Sequence, residues 1–160
     1  MRKIFLIAIA SFIGTGLVAQ EVKSVRITEL EKTIKESQGP MIINFWATYC
    51  VPCVEEIPYF QEEVKKHEKD GVKLLLVSLD MKSSYPAKVT DFATKRNFTA
   101  PKLWLNETDA DYFCPKIDPK WSGSIPASLF INNKTGYRKF IEAEMTQEEL
   151  QKEIAALLGK

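Results

Sequence analysis

The feature that most limits what this chain can become is Cys50-Val51-Pro52-Cys53, set where one periodicity gives way to another. Met41 to Trp46 is apolar apart from Asn44 and reads as a buried strand, while from Val51 onward apolar residues recur at helical spacing. A cysteine pair at that junction lies in the first turn of a helix. There the backbone N–H groups lack intrahelical partners and the positive end of the macrodipole is found. A thiolate is favoured over a thiol at such a place, and Cys-x-x-Cys typically brings the first cysteine's pKa into the range of roughly 3.5 to 7.5. Cys50 is therefore the expected nucleophile. Cys53, one turn further on, is the expected shielded partner, near enough to close a disulfide. Pro52 falls where a proline loses no intrahelical hydrogen bond, and its fixed φ stiffens the ring between the sulfurs.

Two plainer readings of the pair are disfavoured. A structural zinc site needs four ligands, and beyond the pair the chain offers only Cys114 and the single His67, with no second Cys-x-x-Cys. His67 lies in a Lys/Glu-rich stretch that reads as a solvated helix face, so no metal and no other cofactor is expected. A purely structural bridge across two residues closes a loop too small to constrain the unfolded chain much. With 22 basic and 21 acidic residues, nothing points to a nucleic-acid partner.

Residues 1–19 differ in kind from the rest: Arg2 and Lys3, then an apolar run from Ile4 to Val18, then Ala19-Gln20. This reads as a secretory signal with cleavage after Ala19, the run being shorter than the roughly 20 residues that span a bilayer. An uncleaved membrane tether is the alternative. Export places the cysteines in an oxidising or redox-contested compartment, expected here to be the periplasm.

Phe45-Trp46-Ala47-Thr48-Tyr49-Cys50-Val51-Pro52-Cys53, extended by Glu56-Ile57-Pro58, resembles the active-site segment of thioredoxin-fold thiol-disulfide oxidoreductases of the TlpA and ResA kind. The resemblance runs over roughly residues 29–158. It implies that Glu56, three places after the second cysteine, belongs to the active site, and that it takes the part of the buried acid that classical thioredoxins carry near the position of Asn44. It also implies that Pro126, before the strand starting at Ala127, is a cis-proline facing the cysteines. Such a proline would turn the backbone of Ile125 toward an incoming extended peptide. Trp46, Tyr49, Val51, Pro52, Ile125 and Pro126 are accordingly the expected substrate-binding residues. Tyr49 stands where the family usually has Trp, and Val51 is a less usual residue between the cysteines.

Taken in order, residues 20–28 show no clear pattern and read as a lead-in, with the thioredoxin-like domain spanning 29–160. Leu30 and Ile34 mark a short amphipathic helix over 29–37. A helix from Val51 to about Lys69 carries Val54, Ile57, Phe60 or Gln61, and Val64 inward, with a kink expected at Pro58. Val72 to Leu79 is a second strand, Pro86 opens a helix ending near Asn97, and Pro101 to Leu105 is a short strand. Residues 106–111 are acidic and can start a brief helix. Residues 112–121 read as aromatic-rich loop, with Cys114 as a small buried side chain. Asn132 to Gly136 is a hairpin turn, and Thr146-Gln147-Glu148-Glu149 is a capping box opening a last helix. The expectation is an α/β thioredoxin fold, a central mixed β-sheet flanked by helices on both faces.

The expected activity is reduction of disulfide-containing protein substrates. A membrane electron donor of the DsbD or CcdA kind is the implied source, and cytochrome c maturation is one use. An oxidase or isomerase of secreted proteins, and a non-catalytic metal-binding module, are the alternatives.

Overall fold

The strand that precedes the cysteines, β2 (Met41–Trp46), is buried on both faces, and the rest of the molecule is laid against it. Side chains alternate across a strand, so Ile42, Asn44 and Trp46 point one way and Ile43 and Phe45 the other. In the computed structural model, which describes residues 21–160, these two sets fall into two separate apolar cores.

Six strands form one sheet: β1 (Lys23–Val25), β2, β3 (Lys73–Ser78), β4 (Lys102–Leu105), β5 (Ala127–Asn132) and β6 (Tyr137–Ile141). Their spatial order is β1-β4-β3-β2-β5-β6. The β1–β4, β4–β3 and β3–β2 pairings are parallel, and the β2–β5 and β5–β6 pairings are antiparallel, so the sheet is mixed as expected. Among the described residues five helices cover it: α1 (Ile27–Lys35), α2 (Val51–Lys66), α3 (Ala87–Lys95), α4 (Ala110–Ile117) and α5 (Gln147–Leu157). One core joins Ile42 and Trp46 to α2, α3 and α5 through Ile57, Phe60, Val89, Leu150 and Ile154. The other joins Ile43 and Phe45 to α1 and α4 through Leu30, Ile34, Phe113 and Ile117.

Local signals account for most helix ends. The Cys50 side chain caps α2 by accepting from the Cys53 N–H, and Pro52 lies within the first two positions. The α2 helix continues without interruption past Pro58 to Lys66, then a 3-10 turn at Glu68–Asp70 ends on Gly71, whose φ of 78° needs a glycine. The Thr146/Glu149 capping box is formed at the start of α5.

Two expectations are corrected. The supposed lead-in contains β1 and the start of α1: Ser24 pairs with Trp104, and Val22 is fully buried. Three residues of strand, with Val25 the only apolar one, are too few to show periodicity. The stretch read as loop over 112–121 is largely α4, capped by Asp109, whose side chain accepts from the Tyr112 N–H. Pro115 masked it in the sequence: a proline there removes one intrahelical hydrogen bond and crowds the preceding turn, and the helix ends two residues later at Ile117. The residues assigned to a secretory signal lie outside the described part. Among the described residues no helix is long and apolar enough to cross a membrane.

Candidate active site

Cys50 and Cys53 are joined in a disulfide, with their Cα atoms 5.3 Å apart. Cys50 is 8% exposed and Cys53 is fully buried, the asymmetry expected of an attacking and a resolving sulfur. The site is placed by two strand ends. Leu79 N–H donates to the Trp46 carbonyl at 2.8 Å, continuing the β2–β3 pairing beyond the strands. Immediately after, the buried Asp80 accepts from the Thr48 backbone N–H at 3.0 Å, from the Thr48 hydroxyl at 2.5 Å and from the Ser78 hydroxyl at 2.8 Å. Trp104 Nε1 donates to the Asp80 carbonyl at 2.7 Å. The turn leading into Cys50 is thus pinned to the neighbouring strand, and Asp80 and Thr48 join the site without a sequence signal that singled them out.

Glu56 lies three residues after Cys53 on α2, one turn along the same buried face. It is fully buried and faces no cation among its hydrogen-bond partners. Asn44 Nδ2 donates to Oε1 at 2.7 Å, and the Met145 N–H donates to Oε2 at 3.1 Å. Burial pushes its carboxyl up to about 7, against the opposing effect of those two hydrogen bonds. Asn44 also donates to the Ser128 hydroxyl at 3.1 Å, while its own Oδ1 is buried without a partner. Asn44 therefore holds the Glu56 carboxyl in place from β2.

The residues expected around the pair divide. Tyr49 and Val51 are 64% and 65% exposed beside the disulfide, and Pro52 is half-buried. Ile125 is half-buried and packs against the core cluster that contains both cysteines, and the Ile125–Pro126 bond is cis. Pro126 is itself buried. Trp46 is corrected: it is fully buried, packed against Phe98 and Phe92 at centroid distances of 5.3 and 6.2 Å, and supports the site from beneath. Both faces of β2 are covered, so Trp46 has no surface to offer. Cys114 is a buried free thiol in the opposite core, its pKa pushed up to about 11 by burial and nearby carboxylates.

The chain is similar in sequence and fold to several named proteins. "Thiol-disulfide oxidoreductase ResA" of Oceanobacillus iheyensis is 38% identical over 137 residues, covering 84% of this chain and 63% of that protein. "Sporulation thiol-disulfide oxidoreductase A" of Bacillus subtilis is 29% identical over 150 residues, covering 89% of this chain and 87% of that one. The crystal structure of a thioredoxin-related protein from Neisseria meningitidis serogroup B matches with a TM-score of 0.64 at 22% identity, over 78% of this chain and 88% of that one. The chain spans less than two thirds of the length of some of the ResA proteins it matches. Fold and site together define a thioredoxin-fold thiol-disulfide oxidoreductase. The AhpC/TSA family model matches residues 15–135, and the chain belongs to that family.

Proposed function

We propose that this chain is exported and reduces disulfides in other proteins outside the cytoplasm. The supporting observation is the Cys50–Cys53 disulfide at the head of α2, with Cys50 8% exposed, Cys53 fully buried, and the buried acid Glu56 one helical turn beyond Cys53. In the reduced form the Cys50 thiolate attacks one sulfur of a partner disulfide. That bond breaks, a mixed disulfide forms, and the partner's other sulfur leaves as thiolate. Glu56 takes the proton from Cys53, whose thiolate then attacks Cys50 Sγ and releases the partner's second thiol. The pair ends oxidised and the partner has gained two electrons. A carboxyl that titrates near 7 can both take and return a proton at neutral pH. Tyr49, Val51 and the backbone of Ile125 receive the partner.

The cycle is completed by a dithiol donor, assigned to a membrane protein of the DsbD or CcdA kind, and cytochrome c maturation is one use of the reducing power. The test is insulin reduction with dithiothreitol by wild type, Cys50→Ser and Cys53→Ser, together with the reduction potential of the pair. Loss of turnover in Cys50→Ser and a potential well below that of a strong oxidant such as DsbA, at about −120 mV, are expected. Full activity in Cys50→Ser would sink the enzyme assignment, and a potential near the DsbA value would reverse its direction.

A further inference from the structure

The loop that leads into the cis Ile125–Pro126 bond is held by a carboxylate that the catalytic cycle does not use. Among the described residues neither the N–H nor the carbonyl of Ile125 takes part in a hydrogen bond, so both are free to pair with another chain. The three residues before it are tied down. Glu142 follows directly on β6, and the pairing of Ile141 with Ser128 sets it opposite Ala127, beside the segment that enters β5. Its Oε1 and Oε2 each accept from the Ser122 N–H at 3.1 Å, and Oε1 accepts from the Ser124 N–H at 2.9 Å and from the Ser122 hydroxyl. From the other side Trp121 Nε1 donates to the Ser124 carbonyl at 2.9 Å. The Trp121 ring is locked between Phe45 at 4.6 Å and Phe140 at 5.5 Å. Gly123 makes the turn between the two serines with φ of +95°, which a side chain would strain.

A loop that accepts a strand needs its free groups aimed before the partner arrives, because ordering them on contact subtracts from affinity. We infer that Glu142 is a positioning residue for substrate docking: by holding Ser122 and Ser124 it aims the open backbone of Ile125 at an extended segment of the disulfide-bearing partner. Partial burial pushes the Glu142 carboxyl up, but the hydrogen bonds from Ser122 and Ser124 outweigh it and hold the pKa below the usual range, so the group is a full acceptor at neutral pH. The ligand class is a polypeptide disulfide flanked by extended backbone, as opposed to a small disulfide with no strand to add.

This inference rests on the reductase reading above, and the experiment separates the two. The reduced full-length protein is oxidised by a disulfide-linked peptide of about ten residues and, in parallel, by glutathione disulfide, and the ratio of the two kcat/KM values is taken as selectivity. Glu142→Ala is expected to lower that ratio about tenfold, chiefly through the peptide KM, since a tenfold change corresponds to roughly one hydrogen bond's worth of binding. Glu142→Gln, which keeps one acceptor oxygen, is expected to lower it about threefold. Wild type active on both with unchanged ratios in both variants overturns the inference alone, and so does an equal fall on both disulfides. Wild type inactive on both disulfides overturns the reductase reading and this inference with it. If Glu142→Ala fails to fold by circular dichroism, the ratio in Glu142→Gln decides.

Discussion

Glu56 and Glu63 stand two turns apart on the same buried face of α2, both at 1% exposure or less, and their carboxyls go opposite ways. Burial raises both. For Glu56 burial wins and the carboxyl reaches about 7, because only Asn44 and the Met145 N–H oppose it. For Glu63 burial loses, and hydrogen bonds from Lys66, Gln147 and Gln151 bring it down to about 2. Lys66 Nζ lies 2.6 Å from Glu63 Oε1, and the two glutamine amides donate to the same oxygen at 2.8 and 2.9 Å. Depth alone does not decide the charge of a carboxyl; the count and charge of its donors do. Both side chains reach toward α5, Glu63 to its body and Glu56 to the residue just before its cap. One is a permanent anion that ties two helices together. The other holds its proton into the neutral range, one helical turn beyond Cys53.

The comparison breaks first at its stronger member. Glu63→Ala removes the buried carboxylate that Lys66, Gln147 and Gln151 share, so at pH 7 it is expected to cost about 2 kcal/mol in urea unfolding, the worth of a charge-assisted hydrogen bond whose donors can return to water. A loss under about 1 kcal/mol would mean that Lys66, which is half exposed, keeps its solvation and the tie is weak.

The second test is on pH. Glu56 has a folded pKa of about 7, above the ordinary 4.5, so between those values the folded state keeps a proton that the unfolded chain releases. Its unfavourable contribution is absent below about pH 4.5, grows across that window and is complete above about pH 7, with an upper limit on the order of 3 kcal/mol. Relative to wild type, Glu56→Gln should therefore gain stability from pH 5 to about 7 and level off above it. A difference that stays flat over that range would remove Glu56 as the neutral-range acid.

The smallest effect sharpens the link through α5. Thr146→Ala removes the cap next to Met145 and is expected to cost about 1 kcal/mol. If Met145 is held through that cap, the carboxyl of Glu56 should also shift upward in a carbon-13 titration, as one of its donors loosens; an unmoved titration would show that the Met145 N–H is held by other means, such as the Tyr59 hydroxyl on the Met145 carbonyl.

Much of this was legible beforehand, and the pattern of what was not has a cause. Met41–Trp46 and Ala127–Asn132 were read with their observed limits, because long apolar runs bounded by turn residues leave few alternatives. The strand at Lys23–Val25 and the helix over 110–117 were missed: the first is too short for a period, and the second is crossed by a proline. At the site, Cys50, Cys53 and Glu56 could be named from spacing and resemblance. Asp80, Met145 and Glu142 could not, since each meets its partner across 18 to 89 residues of chain. Trp46 was misplaced as a docking residue because a strand's last residue can face in or out, and only the packing of α3 against it settles which.

By itself the sequence determined that two sulfurs would sit at the head of a helix after a buried strand, because a three-residue spacing and a change of period are local properties of the chain. Only the tertiary structure decided which of the helix's acids would hold a proton, which carboxylate would aim the loop before β5, and which aromatic would vanish beneath the disulfide. Those outcomes depend on donors and walls supplied by distant segments, and such segments meet only when the sheet has closed.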